Sequence, residues 1–226
     1  MKLYMHAAAC SLSPHIVCRE LGLPVELVEV DRATHRTAAG GDYFSINANG
    51  YVPVLELEDG ERLMEGPAIV QYLADLRPGA GLLPPERSMA RRRVQSWLNF
   101  ITSELHKPLA MRFYPAYAPV KEALLAHVEK RLTWLNGQVA GPYLAGEGFT
   151  VADAYLFVCL NWSPFQGIDL ARWPALAAFM AQVSARPKVQ EALAAEDLLP
   201  HGPQGLFHAP RAYLRAQVGR TQGARS

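Results

Sequence analysis

Lys2-Leu3-Tyr4-Met5-His6-Ala7-Ala8-Ala9-Cys10-Ser11-Leu12-Ser13-Pro14-His15-Ile16-Val17 joins a short apolar run, a small-residue loop and the start of an amphipathic helix. Cys10 thus sits where a strand gives way to a helix. A thiol there faces unpaired backbone N–H groups and the positive end of the helix dipole. Both favour thiolate, so the sequence predicts a lowered Cys10 pKa. The alternative is a small core cysteine, because free cysteine also packs as a hydrophobe. The motif is C-x-x-S, with Ser13 where a dithiol oxidoreductase carries its second cysteine. A disulfide formed at Cys10 therefore waits for an external thiol to resolve it.

Outward from this stretch, Val25-Glu26-Leu27-Val28-Glu29-Val30 alternates with period two, and Gly22 and Pro24 separate it from the helix. Strand, helix and strand within about 30 residues predict a parallel pair. Val54-Leu55-Glu56-Leu57-Glu58 reads as the next strand. Asp59-Gly60 supplies a hairpin turn, and Glu61-Arg62-Leu63-Met64 returns antiparallel. A helix follows from Gly66 to Leu73, with Pro67 in its first turn. The order βαβ then ββα is that of a thioredoxin-like α/β domain, expected over residues 1–77.

Residues 78–87 are dense in proline and glycine and read as a linker. Beyond them the pattern is helical, with no convincing strand. One long helix is expected from Ser88 to about Arg112, where Val94, Leu98, Ile101, Leu105 and Leu109 share a stripe. Further helices are expected at about 119–139, 151–163 and 174–185, so residues 88–200 form an all-α C-terminal domain. The extension at 201–226 is expected to be loosely held or to pack over the surface.

The bulk composition narrows the function classes. The chain has 226 residues, 50% of them hydrophobic and 19% charged, with a net charge of +1. No bulk field favours nucleic acid or an anionic membrane, and Arg91-Arg92-Arg93 reads as a solvated face. No run approaches the roughly 20 apolar residues of a membrane span, and no apolar leader is read at the N-terminus. Three widely spaced cysteines suit a reducing compartment, so the expected location is the cytoplasm. The seven histidines show no H-x-x-x-H pair, no cysteine pair has zinc spacing, and no Walker A or G-x-G-x-x-G motif occurs.

Four further groups carry candidate chemistry, each with a bland counterpart. Pro53 after Val52 is a strand-entry proline, or a cis-proline opposite the Cys10 thiol that turns the Val52 backbone toward an extended peptide. Glu65-Gly66-Pro67 is a helix start, or a cradle whose N–H groups take a carboxylate while Glu65 takes an ammonium. Asn99, Ser103 and His106 share a face at i, i+4 and i+7, which is either solvated or a wall turned toward Cys10. Thr150-Val151-Ala152-Asp153 reads as a structural capping box.

In this order and spacing the motifs resemble the cytosolic glutathione S-transferases, specifically the bacterial beta class. The marks are Ala9-Cys10-Ser11-Leu12, Gly41-Asp42-Tyr43-Phe44, Asn47, Val52-Pro53-Val54-Leu55, Glu65 through Asp75, Trp97-Leu98-Asn99-Phe100, Glu104-Leu105-His106-Lys107 and Thr150 through Leu156. The likeness spans residues 1–200. It implies a homodimer with a role in detoxification that joins glutathione to small-molecule electrophiles, without metal. Candidate catalytic residues are Cys10 and His106. The resemblance implies glutathione contacts at Cys10, Ser11, His35, Val52, Pro53, Glu65, Gly66, Asn99, Ser103, Glu104, Leu105 and His106.

His35 falls where the class often has a lysine, which would make tripeptide binding pH-dependent because histidine titrates near neutrality. Phe113, Tyr114, Trp162 and Phe165 are candidates for the electrophile wall. Two chemistries are implied: attack by a stabilised glutathione thiolate, or a mixed disulfide at Cys10. Rival readings are a glutathione-dependent dehalogenase, isomerase or disulfide reductase, and a non-catalytic ligand-binding protein.

Overall fold

Alternation builds the sheet. In the computed structural model, which describes residues 1–198, 200–201 and 206–207, β1 (Lys2–Met5) lies at the centre. It pairs in parallel with β2 (Glu26–Asp31), Leu3 opposite Leu27, and antiparallel with β4 (Val54–Glu56), Leu3 opposite Leu55. Strand β5 (Arg62–Met64) completes the hairpin with β4, and β3 (Arg36–Thr37) pairs antiparallel with β2. The order is β3-β2-β1-β4-β5. Period-two alternation sorts the faces. Tyr4, Val30, Tyr43 and Val54 cluster on one face, whereas Leu55 joins the main core on the other.

Two helices cover the main face. Helix α1 (Leu12–Leu21) ends at Gly22 with φ 62°. The Gly22 and Leu23 N–H groups return to the Arg19 and Cys18 carbonyls, a left-handed stop that favours glycine. Helix α2 (Gly66–Asp75) starts with proline in its first turn. Helix α1 also packs against α6 (Val151–Leu160) and α8 (Pro187–Ala195), so it joins the sheet to the helical bundle. All ten residues of α6 are buried, as expected of a helix that is apolar all round. Helices α5 (Lys121–Asn136) and α7 (Pro174–Ser184) complete the bundle.

The thioredoxin-like order followed by a helical bundle agrees with the sequence reading, with four corrections. Strand β3 and helix α8 lie where no element was expected. A second antiparallel pair, Pro200–His201 with Leu206–Phe207, follows the bundle where no strand was expected. Otherwise the expected behaviour of 201–226 concerns residues outside those described. Arg91 is not solvated: it is buried and forks onto both Asp75 carboxylate oxygens, tying α3 to α2.

The expected long helix is the fourth correction. It divides into α3 (Met89–Phe100), a π-turn (Ile101–His106) and α4 (Lys107–Met111). Pro108 explains the break, because it donates no hydrogen bond and its ring collides with the carbonyl four residues earlier. The wider turn, closed by the Lys107 N–H on the Thr102 carbonyl, accommodates it.

Candidate functional site

The loop before Cys10 is held from the helical side. Ala8 adopts φ 61°, and its peptide groups are gripped on both sides. Its N–H donates to Glu196 Oε2 at 3.0 Å, and its carbonyl accepts from the Trp162 indole at 2.8 Å. Glu196 is itself buried, and Oε1 accepts from His15 Nδ1 at 2.8 Å. Arg19 Nε donates to His15 Nε2 at 3.1 Å, which leaves the imidazole proton on Nδ1. Burial raises the Glu196 carboxyl against the hydrogen bonds from His15 and Ala8.

Neighbouring hydroxyls are used locally. The buried Ser11 Oγ accepts from the His6 N–H and donates to the His6 carbonyl, so only the Ser11 backbone is left to face a ligand. Ser13 Oγ donates to the Cys10 carbonyl at 3.1 Å.

Cys10 Sγ donates to the Val52 carbonyl at 3.3 Å. Val52-Pro53 is cis. Tyr43 Oη and Asn47 Nδ2 both donate to the Tyr51 carbonyl at 2.8 Å, fixing the loop that delivers this bond. Gly66 lies beside it: a Cβ there would stand 3.8 Å from the Pro53 ring. Glu65, at φ 67°, is exposed and forms no hydrogen bond or ion pair among the described residues.

The expectation of an acidic Cys10 is overturned. Burial pushes the thiol up to about 11, and the Lys107 and Arg32 charges only partly offset this. The dipole argument counted the helix end and could not count the desolvation by chain folded around it.

On the helical side, the π-turn separates the residues expected to share one face. His106 turns inward, and its Nδ1 lies 2.5 Å from Tyr155 Oη. Burial pushes its pKa down to about 4, and Lys107 adds to this. No hydrogen bond joins His106 to Cys10 among the described residues. Asn99 and Ser103 stay exposed, and Ser103 Oγ donates back to the Asn99 carbonyl. Glu104 turns to α5, where Oε2 meets Arg131 Nε at 2.5 Å and His127 Nε2 at 3.3 Å. Leu105 is in the core. Glu104 and Leu105 therefore spend their side chains inside the bundle, and the contact run read from the sequence is not one surface.

His35, at φ 51°, stacks 4.5 Å from Phe44, and its buried Nδ1 lacks a partner. Gly50 must be glycine beneath it, since a Cβ would fall 2.8 Å from the imidazole. Of the expected aromatic wall, Trp162 stands 5.3 Å from His106 and 6.0 Å from Phe113. Trp162 is also a core residue pinned to Ala8. Phe165 is half-buried in the turn after Trp162. Tyr114 lies at the rim and accepts from Arg32 Nη2 at 3.1 Å.

Sequence reasoning missed Arg32, Tyr51, Tyr155 and Glu196, and quoted Lys107 without giving it a role. Arg32 was within reach: β1 and β2 are parallel, so the loops after both strands share one sheet edge. Among the described residues no group of three His, Cys, Asp or Glu side chains is placed to hold a metal. None of the described helices is long and apolar enough to cross a membrane.

Residues 8–76 match the family model for the glutathione S-transferase N-terminal domain, and residues 103–196 match that for the C-terminal domain. Glutathione S-transferase GstA of Escherichia coli O157:H7 is 43% identical, covering 88% of this chain and 100% of its own. Among solved structures, a ternary complex of BphK, a bacterial GST, is 52% identical with a TM-score of 0.86, covering 88% of this chain and 100% of that one. A sphingomonad glutathione S-transferase complexed with glutathione is 44% identical with a TM-score of 0.84, at coverages of 88% and 100%. A bacterial beta-class glutathione S-transferase of Sphingomonas chungbukensis is 41% identical with a TM-score of 0.83, at coverages of 87% and 98%.

Proposed function

The chain belongs to the glutathione S-transferase family, in its bacterial beta class, and from that premise we propose that it conjugates glutathione to small electrophiles beside Cys10. The observation that carries the proposal is the grouping of Cys10 Sγ, the Val52 carbonyl, the cis-Pro53 ring and Gly66. It supplies a thiol donor, an extended backbone edge and an open helix start within one cleft. Glutathione would lay its cysteinyl backbone along Val52-Pro53. Its γ-glutamyl ammonium would meet the unengaged Glu65 carboxylate, and its carboxylate the N–H groups at Gly66. Cleft contacts are proposed for His35 at the glycine end, for the Ser11 backbone, and for Asn99, Ser103 and His106 from the helical domain, residues 88–200. Electrophiles would pack on Phe113, Tyr114, Trp162 and Phe165.

The Cys10 thiol, pushed up to about 11, is protonated at neutral pH and suits a hydrogen-bond donor better than a nucleophile. In this reading the glutathione thiol releases its proton to water, and the thiolate accepts a bond from Cys10 near the Lys107 charge. Its electron pair forms the sulfur–carbon bond while the leaving halide departs with the bonding pair. His106 is neutral and serves as a donor or acceptor rather than a charge.

The chain is proposed to act as a homodimer. Met89, 68% exposed on α3, and Trp134, 46% exposed beside Trp97 and Phe100, offer an apolar face for self-association. Its three free cysteines suit the cytoplasm, where we place it.

The test is retention on immobilised glutathione, turnover of chlorodinitrobenzene, and intact mass after oxidised glutathione. Turnover with no glutathionyl adduct at Cys10 is expected. Binding without turnover would favour a storage protein. A stoichiometric Cys10 adduct would favour disulfide chemistry instead.

A further inference from the structure

Two cations stand over the cleft without acidic partners. Arg32 follows β2 and bridges to Tyr114 in the helical bundle, with its guanidinium carbon 5.6 Å from the ring centre. Lys107 begins α4 and bridges the other way, with Nζ 5.7 Å from the Tyr51 ring centre. Neither makes an ion pair among the described residues. The acid nearest Arg32 in sequence, Asp31, is consumed by its own turn. Its Oδ1 accepts from the Ala33 N–H, the Thr34 N–H and the Thr34 hydroxyl. The fields of both cations reach Cys10, and that of Glu65 opposes them more weakly.

Arg32 is the better placed of the two to read a substrate. Only one of its N–H groups is engaged, by Tyr114, and the rest of the planar fork is open. A guanidinium fork matches a carboxylate with two parallel hydrogen bonds, which a lysine ammonium cannot do. Tyr114 follows Phe113 in the chain, and Phe113 meets Trp162 edge-on, so the fork stands at the end of an aromatic wall. Such a pairing of flat apolar surface and open fork selects a ring that carries an anion.

We infer that Arg32, held by Tyr114, makes this site selective for aromatic electrophiles bearing a carboxylate. The inference rests on reading the cleft as a glutathione transferase site. A neutral substrate would use only the aromatic wall. A carboxylate-bearing one would add a charge-assisted contact that the exposed setting keeps moderate and salt-sensitive.

The experiment compares chlorodinitrobenzene with chloronitrobenzoate, each normalised to its uncatalysed rate with glutathione. The carboxylate substrate is expected to show about tenfold higher normalised kcat/KM, the size of one charge-assisted hydrogen bond. The ratio should fall severalfold in Arg32→Gln and as sodium chloride is raised, and should hold in Arg32→Lys only in part. Circular dichroism and the KM for glutathione are measured in each variant. A ratio at or below one, or one that Arg32→Gln leaves unchanged, overturns the inference while the transferase reading stands. A raised KM for glutathione with an unchanged ratio also overturns it, because Arg32 would then hold the tripeptide's carboxylate. If neither halide is turned over, the transferase reading falls and this inference with it.

Discussion

Tyr155 Oη stands 2.5 Å from His106 Nδ1, with the two rings edge-on and their centres 5.6 Å apart. Burial raises the Tyr155 phenol far above its usual range and holds His106 down to about 4. Both groups are therefore neutral at pH 7. The phenol must donate and Nδ1 must accept, so the His106 proton resides on Nε2.

Nitrogen-15 NMR should find His106 as the Nε2–H tautomer. Tyr155→Phe should mix the tautomers and strand a buried Nδ1, at about 1–3 kcal/mol. If His106 acts in the cleft, kcat should fall with the KM for glutathione nearly constant. An unchanged tautomer in Tyr155→Phe would show that another group sets it.

The same residue predicts an acid-side loss of stability. His106 has a folded pKa below its unfolded value, so protonation favours unfolding. Its contribution is complete above pH 6.5 and is lost as pH falls toward about 4, on the order of 3 kcal/mol across that window. Urea unfolding at stepped pH should show this slope, and His106→Gln should flatten it.

Alkylation of Cys10 by iodoacetamide should accelerate about tenfold per pH unit from pH 6 to pH 9, with no plateau, because the thiol sits near 11. Peptide mapping separates it from the buried Cys18 and Cys159. A plateau near pH 6 would mean that the helix end outweighs burial after all.

Glu196→Ala should cost about 3–5 kcal/mol, since it leaves His15 and the Ala8 N–H without a buried partner. Because Ala8 leads into Cys10, the KM for glutathione should rise as well. Urea midpoints and steady-state kinetics measure the two effects. A loss below about 1 kcal/mol would show that the pair is not holding the loop.

Asp153 accepts from the Leu144 N–H, the Thr150 N–H and the Thr150 hydroxyl, each within 2.8 Å. Asp153→Ala should therefore destabilise by about 2–5 kcal/mol, and Thr150→Ala by about 1 kcal/mol. Thermal melts read both. Activity lost in Thr150→Ala with an unshifted melt would refute the structural role.

The elements near Cys10 were legible because their signals are local. Alternation in Val25–Val30, Asp59-Gly60 at the hairpin and Gly22 at the helix stop each act over a few residues. Asp153 capping Thr150 is local too. The π-turn was half legible: Pro108 announces a break, but whether the chain kinks or widens depends on packing. The outward turn of Glu104 was not legible, because its partners His127 and Arg131 lie on another helix.

The amino-acid sequence by itself determined the order of strands and helices, the place of Cys10 at a helix start, and the C-x-x-S pattern. These follow from periodicity and backbone stereochemistry, which act between near neighbours. Only the tertiary structure decided the chemistry of that cysteine. Burial raised its pKa, Glu196 and Trp162 fixed its loop from more than 150 residues away, and Arg32 met Tyr114 across the cleft. Desolvation and long-range hydrogen bonds depend on what surrounds a group in space, and that is set by the packing of the whole chain.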